Sequence, residues 1–228
     1  MFHQIHLSIC KTLHGAFSQE YFFLFQRYKK THPALKAGLK KCFSADPILR
    51  FENIIIRNNA FPVFKTSKPI LFEKTEFGSD LKELVHVKGE ADCVNFLKAG
   101  EAVIKIVGYR ERIMNVSVLL LFYSSGERYF LGEYIFSPKE KSTWSQFANS
   151  IFKKYAVPDS EEHRQFYIED EKGSILCFYD DGFSISIKFF NPAYCQPLDQ
   201  LHSIFQQNIA NNQHPGVDLS AHGFADRL

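Results

Sequence analysis

The sequence lacks the short motifs that carry most catalytic chemistry. It has no glycine-rich phosphate loop, no G-x-S-x-G turn and no H-E-x-x-H zinc motif. No stretch approaches the roughly 20 apolar residues that a membrane-spanning helix needs, and polar residues interrupt the N-terminal apolar positions, so we expect no signal peptide and no membrane span. These absences argue against the best-known enzyme classes.

Cysteine spacing excludes two further kinds of site. The five cysteines are odd in number and none stands in a C-x-x-C pair, which argues against a zinc site and against a disulfide framework. We therefore predict reduced, mostly buried thiols, no metal, no cofactor, and a soluble protein of the cytoplasm. The residues are Cys10, Cys42, Cys93, Cys177 and Cys195.

Apolar residues, by contrast, are plentiful. The 228 residues are 45% hydrophobic and include 24 Phe, enough to fill a large core and to exclude disorder for most of the chain. Charge is uneven: the first 50 residues hold eight basic and two acidic side chains, or +6, which leaves −4 for the rest of a chain whose net charge is +2. The N-terminal part is thus suited to an acidic partner.

The first 78 residues predict a helical hairpin followed by a β-rich connector. Apolar residues recur every three or four positions from Ile5 to Tyr28, as in one long amphipathic helix with a weak point at Gly15. A second short stripe, Leu35 to Phe43, completes the hairpin of residues 1–45. Residues 46–78 contain Ile54 to Ile56 and proline-flanked apolar runs, which favour strands.

The remainder predicts two tandem units, each a helix followed by an antiparallel β-meander, so the fold class is α+β. Asp80 with Glu83, and Thr143 with Gln146, form capping boxes 63 residues apart. We assign residues 79–137 to the first unit and 138–210 to the second, which ends in a C-terminal helix. Residues 211–228 lack periodicity and are predicted to be a flexible tail.

The order of elements from Ser79 to Phe190 resembles that of the beta-lactamase inhibitor proteins and the small outer-membrane assembly lipoproteins. Both families join short helices to antiparallel meanders, sometimes in tandem. The resemblance depends on element order and not on a motif, so it implies a fold and no functional residues. Those families are exported, whereas this sequence shows no export signal.

The second meander is the most strongly patterned stretch. Its two outer strands alternate, with Phe166 and Ile185 on one face and Ser186 and Lys188 on the other. Its middle strand, which starts at Ile175, is apolar at every position and is predicted to be covered on both sides. We expect the Ser186 and Lys188 face to be largely exposed to water.

Three groups of residues suggest chemistry only weakly. Two of His3, His6 and His14 can share a helix face, but they lack further metal ligands nearby. Cys93 has His86 and Asp92 close in sequence, although no catalytic motif surrounds it. Acidic pairs such as Glu161 with Glu162 fall in predicted turns, where carboxylates are expected for solvation and backbone hydrogen bonds.

A basic cluster is the strongest binding signal. Six cations lie within fifteen residues that contain no acid, so a positive patch near the tip of the hairpin can contact the phosphates of nucleic acid or lipid. The competing interpretation is a solvated helix face, or one that docks on the acidic remainder of the chain. The candidate polyanion-binding residues are Arg27, Lys29, Lys30, Lys36, Lys40 and Lys41.

Aromatic residues on the first meander suggest a protein partner. Tyr129 and Tyr134 are expected on opposite faces of one strand, so one of them lies outside the main core. With Tyr109 and Arg110, they form a candidate partner surface of the kind found at binding hot spots. We therefore predict a non-catalytic binding module that uses a sheet face or a groove between the units. The alternatives are polyanion binding through the hairpin and an enzyme with a dispersed site in the cleft.

Overall fold

The structure is a computed structural model, and it describes residues 2–14, 18–31, 42, 51–57, 60–113, 115–136, 142–158, 164–180 and 184–212. Within these residues the chain forms six α-helices and eight β-strands, so the prediction of a mixed α+β fold is confirmed. The helices are α1 (Phe2–His14), α2 (Gln19–Thr31), α3 (Glu52–Ile55), α4 (Leu81–Lys88), α5 (Ser142–Tyr155) and α6 (Leu198–Asn212). The strands are β1 (Val63–Thr66), β2 (Cys93–Ala99), β3 (Ala102–Ile113), β4 (Val116–Ser125), β5 (Arg128–Phe136), β6 (Gln165–Asp170), β7 (Ile175–Asp180) and β8 (Ile185–Phe190).

All eight strands belong to one sheet, in the order β1-β6-β7-β8-β5-β4-β3-β2. Neighbours are antiparallel except for β1, which runs parallel to β6. The predicted meanders are β3 to β5 and β6 to β8, and they meet through their last strands, β5 and β8. The two predicted units therefore share one continuous sheet.

Helices cover both sides of this sheet. On the side that we call the front face, α4 and α5 pack through residues such as Leu84 and Phe152. On the opposite side, the back face, α3 and α6 pack through Ile54 and Leu201. The sheet is therefore the middle layer of three, which explains why so many of its strand residues are buried on both sides.

Local sequence signals place the front helices as expected. The Asp80 carboxylate accepts a hydrogen bond from the Lys82 backbone N–H at 2.8 Å and caps α4. Gly89, at φ 86°, ends the same helix in a conformation that favours glycine. The apolar stripe of α5 docks Phe147 and Phe152 against the sheet. Both predicted helices are confirmed.

The N-terminal helices differ from the prediction of one long helix. Chain direction reverses between α1 and α2, so the hairpin consists of these two helices, with His6 and Tyr28 hydrogen-bonded at 2.6 Å across them. Ser18 explains the break, because its hydroxyl accepts from the Tyr21 backbone N–H and caps α2. Apart from Cys42, the predicted helix from Leu35 to Phe43 lies outside the described residues.

The connector is less β-rich than its composition indicates. The predicted strand at Ile54 to Ile56 is wrong, because Phe51, Ile54 and Ile55 have the i, i+3, i+4 spacing of one helix face and pack on the back face as α3. The proline-flanked run at Val63 does form a strand, β1. Residues 67–80 form no strand and cross the front face, where the Phe72 ring lies directly against Gly132.

The predicted wet face of the second meander is also wrong. Ser186 and Lys188 retain only 6% and 3% of their exposure, because they point to the back face. The Ser186 hydroxyl donates a hydrogen bond to the buried Glu133 carboxylate at 2.6 Å. This bond offsets part of the cost of burying the two polar groups. None of the described helices is both long and apolar enough to cross a membrane.

Two cysteines that we predicted to be reduced form a disulfide. Cys42 and Cys93 are paired, with their Cα atoms 5.0 Å apart, while Cys10, Cys177 and Cys195 are free and buried as expected. Gly108 gives the bridge room, since a Cβ there would lie 2.5 Å from Cys93 Sγ and 3.0 Å from Cys42 Sγ. The cytoplasmic location was inferred from reduced thiols, and this pair removes that reason.

Candidate functional site

One concave feature of the described chain is an open recess on the front face. It lies between α4 and the α1–α2 hairpin and has a volume of about 720 Å³. A smaller recess of about 360 Å³ shares Val85, His86 and Lys105 with it and extends along α4 towards Gly89. We call the two together the trough. Its floor includes Phe96, Val103 and Lys105, and its α4 wall includes Leu81, Val85 and His86.

Strand alternation and a short helix create this trough. Val103, Lys105 and Val107 are alternate residues of β3 and all face the front. Helix α4 has only eight residues, so it covers a small part of the strands beneath it. On the far side the hairpin packs onto β2 through Phe22, whose ring centroid lies 5.1 Å from that of Phe96. The part of the sheet between α4 and the hairpin is therefore left uncovered and forms the floor of the trough.

Lys105 is a charged residue on the otherwise largely apolar floor of the trough. It is half-buried and stands directly across from Phe96 on β2 and Ser124 on β4. It forms no ion pair or hydrogen bond with any described residue, so its ammonium group lacks a described carboxylate partner. Burial lowers its pKa, the nearby Glu127 charge partly opposes that effect, and the Lys82 charge adds to it. The lysine is therefore a cation in a partly apolar site, and the nearby Glu127 charge compensates it only in part.

Unlike Lys105, the charged side chains on the rim of the trough are exposed. Lys82 and Glu127 form an exposed ion pair at 2.6 Å, so each is already compensated. Glu20 and Glu90 are exposed carboxylates on the walls. The rim thus carries more negative than unpaired positive charge, whereas the floor carries one cation.

A second polar cluster on the front face joins the connector, α4 and β5. Lys88 Nζ donates to the Glu73 carboxylate at 2.8 Å and to Glu111 at 3.1 Å, and the Tyr134 hydroxyl also donates to Glu73. Burial opposes ionisation of Glu73, but these bonds and the charges of Lys88 and Lys154 outweigh it, so its pKa lies below the ordinary value. The cluster ties the connector to α4 and β5, which is a structural role.

The structure describes only part of the predicted polyanion-binding set. Arg27 is exposed on α2, and the backbones of Lys29 and Lys30 belong to the same helix. Lys36, Lys40 and Lys41 lie outside the described residues. The structure therefore does not assemble these six residues into one site, and polyanion binding stays a prediction.

The candidate partner surface is not continuous. Tyr109 and Tyr129 are buried in the front core, Tyr134 is partly buried, and Arg110 is exposed. Our expectation that Tyr129 and Tyr134 face opposite ways is wrong, because β5 contains a bulge at Phe130.

The register shows how the bulge acts. Tyr123 pairs with Leu131 and Ser124 pairs with Tyr129, so Phe130 is the extra residue. A bulge shifts the alternation by one position, and both Tyr129 and Tyr134 then contact the front core. A partner role for the four residues stays a prediction, and of the four only Arg110 is exposed.

The weaker chemical candidates are not brought together. Cys93 is in the disulfide on the back face, whereas His86 lies on the front face in the wall of the trough. Asp92 accepts a hydrogen bond from the Arg110 backbone N–H at 2.7 Å. Among the described residues, no group of three potential metal ligands lies close together.

Helix α1 carries an exposed apolar stripe. Ile5, Ile9 and Leu13 retain 51%, 51% and 73% of their exposure. No described residue covers this stripe, and a stripe of this kind is suited to contact with another element or molecule.

Sequence reasoning missed Lys105, although a signal for it was present. Val103, Ile104, Ile106 and Val107 surround it in one apolar strand, and alternation places the lysine on the same face as Val103 and Val107. A single cation on an otherwise apolar strand face is uncommon unless a partner or a ligand compensates it.

Comparisons with known proteins give no relative for this chain. It matches no protein-family model, no curated protein and no solved structure. A functional assignment therefore depends on the geometry of the described residues.

Proposed function

We propose that this protein is a non-catalytic binding module whose ligand site is the trough beside α4. The observation that carries the proposal is an open, largely apolar floor that contains the ammonium group of Lys105, which forms no ion pair or hydrogen bond with any described residue. Ligand sites are typically concave and largely apolar, with a few polar groups that orient the ligand. The larger recess of the trough, at about 720 Å³, falls in the range of roughly 300 to 1,000 Å³ for small-molecule sites.

Binding is favoured over catalysis by the residues that line the trough. Among those that are described, no hydroxyl or thiol donates a hydrogen bond to a histidine or carboxylate, the arrangement that activates a nucleophile. Lys82 and Glu127 are held in their own ion pair on the rim. A small ligand is favoured over a protein partner at the trough because the site is concave and has the size of a small-molecule site. A protein partner stays a prediction from the sequence.

Filling the trough tests this proposal. His86 is exposed and lines both recesses, so His86→Trp places a large ring in the trough with little disturbance to the core. Val87, the next residue of α4, is 85% exposed and does not line the trough, so Val87→Trp is the matched control.

The probe is 8-anilinonaphthalene-1-sulfonate, an aromatic sulfonate whose fluorescence rises in apolar sites. We expect wild type and Val87→Trp to enhance its fluorescence equally, and His86→Trp to lose most of the enhancement while keeping the same far-ultraviolet circular dichroism. Unchanged enhancement in His86→Trp would mean that the probe binds elsewhere and would contradict the proposal.

We also infer that the two meanders are a tandem repeat of one helix-plus-meander unit. The support is that β5 and β8 occupy equivalent places as last strands of their meanders and pair antiparallel. The preceding helices, α4 and α5, both pack on the front face. Superposing α4 with β3 to β5 on α5 with β6 to β8 tests this, and opposite helix directions after strand superposition would refute it.

A further inference from the structure

The position of Lys105 indicates which chemical class of ligand the trough binds. Lys105 lines both recesses of the trough, so its side chain lies where they meet. Apolar residues flank it along the strand and across it, at Val103, Val107 and Phe96. A ligand that fills both recesses must pass this ammonium group.

An ammonium group in such a place needs an anion. A cation that loses part of its hydration without a partner is costly, and a hydrogen-bonded anion offsets that cost. The charges of Glu127 and Lys82 both act on Lys105, but these two side chains are paired with each other on the rim. Glu127 therefore compensates Lys105 only in part, and a hydrogen-bonded anion has to come from outside the described chain.

The rim limits the ligand to a single anionic group. Glu20 and Glu90 are exposed carboxylates on the walls of the two recesses that form no ion pair with any described residue, and like charges close to them are unfavourable. A ligand with several negative groups along its length would bring them towards these carboxylates. The apolar floor on either side of Lys105 instead suits hydrocarbon.

We propose that the trough binds an amphipathic small molecule with one anionic group, such as a carboxylate on an aliphatic chain, and that Lys105 binds that group. This inference rests on the proposed function, because it takes the trough to be a ligand site. Helix α4, with eight residues at about 1.5 Å each, is about 12 Å long, which is comparable to a medium-length alkyl chain.

Three probes with one alkyl chain and different head groups test the charge. They are decanoate, decan-1-ol and decyltrimethylammonium, titrated calorimetrically into the full chain, with the two ionic probes below their micellar concentrations and decan-1-ol below its solubility limit. We expect decanoate to bind about tenfold more tightly than decan-1-ol, as one partly exposed charge-assisted hydrogen bond gives. We expect decyltrimethylammonium to bind more weakly than either.

Lys105→Met then isolates the lysine, because methionine keeps most of the side-chain bulk and removes the charge. We expect this variant to bind decan-1-ol as wild type does and to lose the preference for decanoate. The control is Lys98→Met, which makes the same charge change on β2, where Lys98 Nζ lies 5.3 Å from the Phe23 ring centroid and outside the trough. This control is expected to keep the tenfold preference.

The outcomes separate the two proposals. Equal affinity for decanoate and decan-1-ol, both abolished by His86→Trp, would overturn the anionic ligand and leave the trough as a binding site. A preference for decanoate that survives Lys105→Met would also overturn the role of Lys105. Absence of binding by all three probes, together with unchanged dye fluorescence in His86→Trp, would overturn the proposed function itself.

Discussion

Breaking the bond between Cys42 and Cys93 should destabilise the protein strongly. The two residues are 51 positions apart, and closing a loop of that length in the unfolded chain is worth about 4 kcal/mol at 25 °C in the chain-entropy description. With a urea m-value of about 3 kcal/mol/M, the unfolding midpoint should fall by about 1.3 M on reduction. We expect dithiothreitol to produce this shift in wild type.

Two measurements check the reasoning. Titration of thiols in the unfolded, unreduced chain should find three, those of Cys10, Cys177 and Cys195, among the five cysteines. Cys195→Ala, which removes a buried thiol outside the pair, should remain as sensitive to dithiothreitol as wild type. Five reactive thiols, or a midpoint that dithiothreitol does not move, would refute the disulfide and its contribution.

Two further substitutions, Glu73→Gln and Gly132→Ala, should destabilise the folded protein by changing contacts on the front face. Glu73→Gln weakens the hydrogen bonds from Lys88 and Tyr134 and should cost about 2 kcal/mol at pH 7 in urea unfolding. Because the pKa of Glu73 is lowered in the folded state, its contribution is complete above its unfolded pKa and is lost as the pH falls below about 4, where variant and wild type should converge. Gly132→Ala puts a Cβ against the ring of Phe72 and 2.7 Å from the Tyr129 hydroxyl, and should cost about 1 to 3 kcal/mol by overpacking.

Each of these has its own control. Glu111 accepts from the same lysine as Glu73 but is more exposed, so Glu111→Gln should cost less than about 1 kcal/mol. An equal loss in both variants would contradict a special role for Glu73. For Gly132→Ala, adding Phe72→Leu should recover part of the loss in a double-mutant cycle, and strictly additive losses would show that the two side chains do not collide.

Much of the fold follows from local patterns in the sequence. The capping carboxylate of Asp80, the apolar stripe of α5 and the alternating strands of both meanders all form where they were predicted. These signals depend on residues within a few positions of each other, and local patterns report such neighbours directly. The single sheet could not be read in this way, because pairing of β5 with β8 joins residues about fifty positions apart.

The errors share a physical cause, which is contact between distant segments. Lys188 looked exposed because its strand alternates, yet helices α3 and α6 pack on the same face of the sheet. Tyr129 and Tyr134 were expected on opposite faces, but one bulge residue, Phe130, shifts the register and puts both on the front face. Scattered cysteines gave no sign of the pair, since disulfide partners are chosen by distance in the fold and not by spacing in the chain.

The trough was missed for a related reason. Its walls come from α4 and the hairpin, and its floor comes from β2 and β3, so no single stretch of sequence contains it. Only Lys105 had a local signature, as a cation among apolar strand residues.

The most direct test of the binding proposal is an amide chemical-shift titration of the full chain with decanoate. The account predicts that the largest shifts fall on residues of the trough, among them Val85, Phe96 and Lys105, and that Lys105→Met reduces them at the same decanoate concentration. Shifts that cluster instead on the exposed stripe of Ile5 and Ile9 on α1, with the trough unchanged, would contradict it.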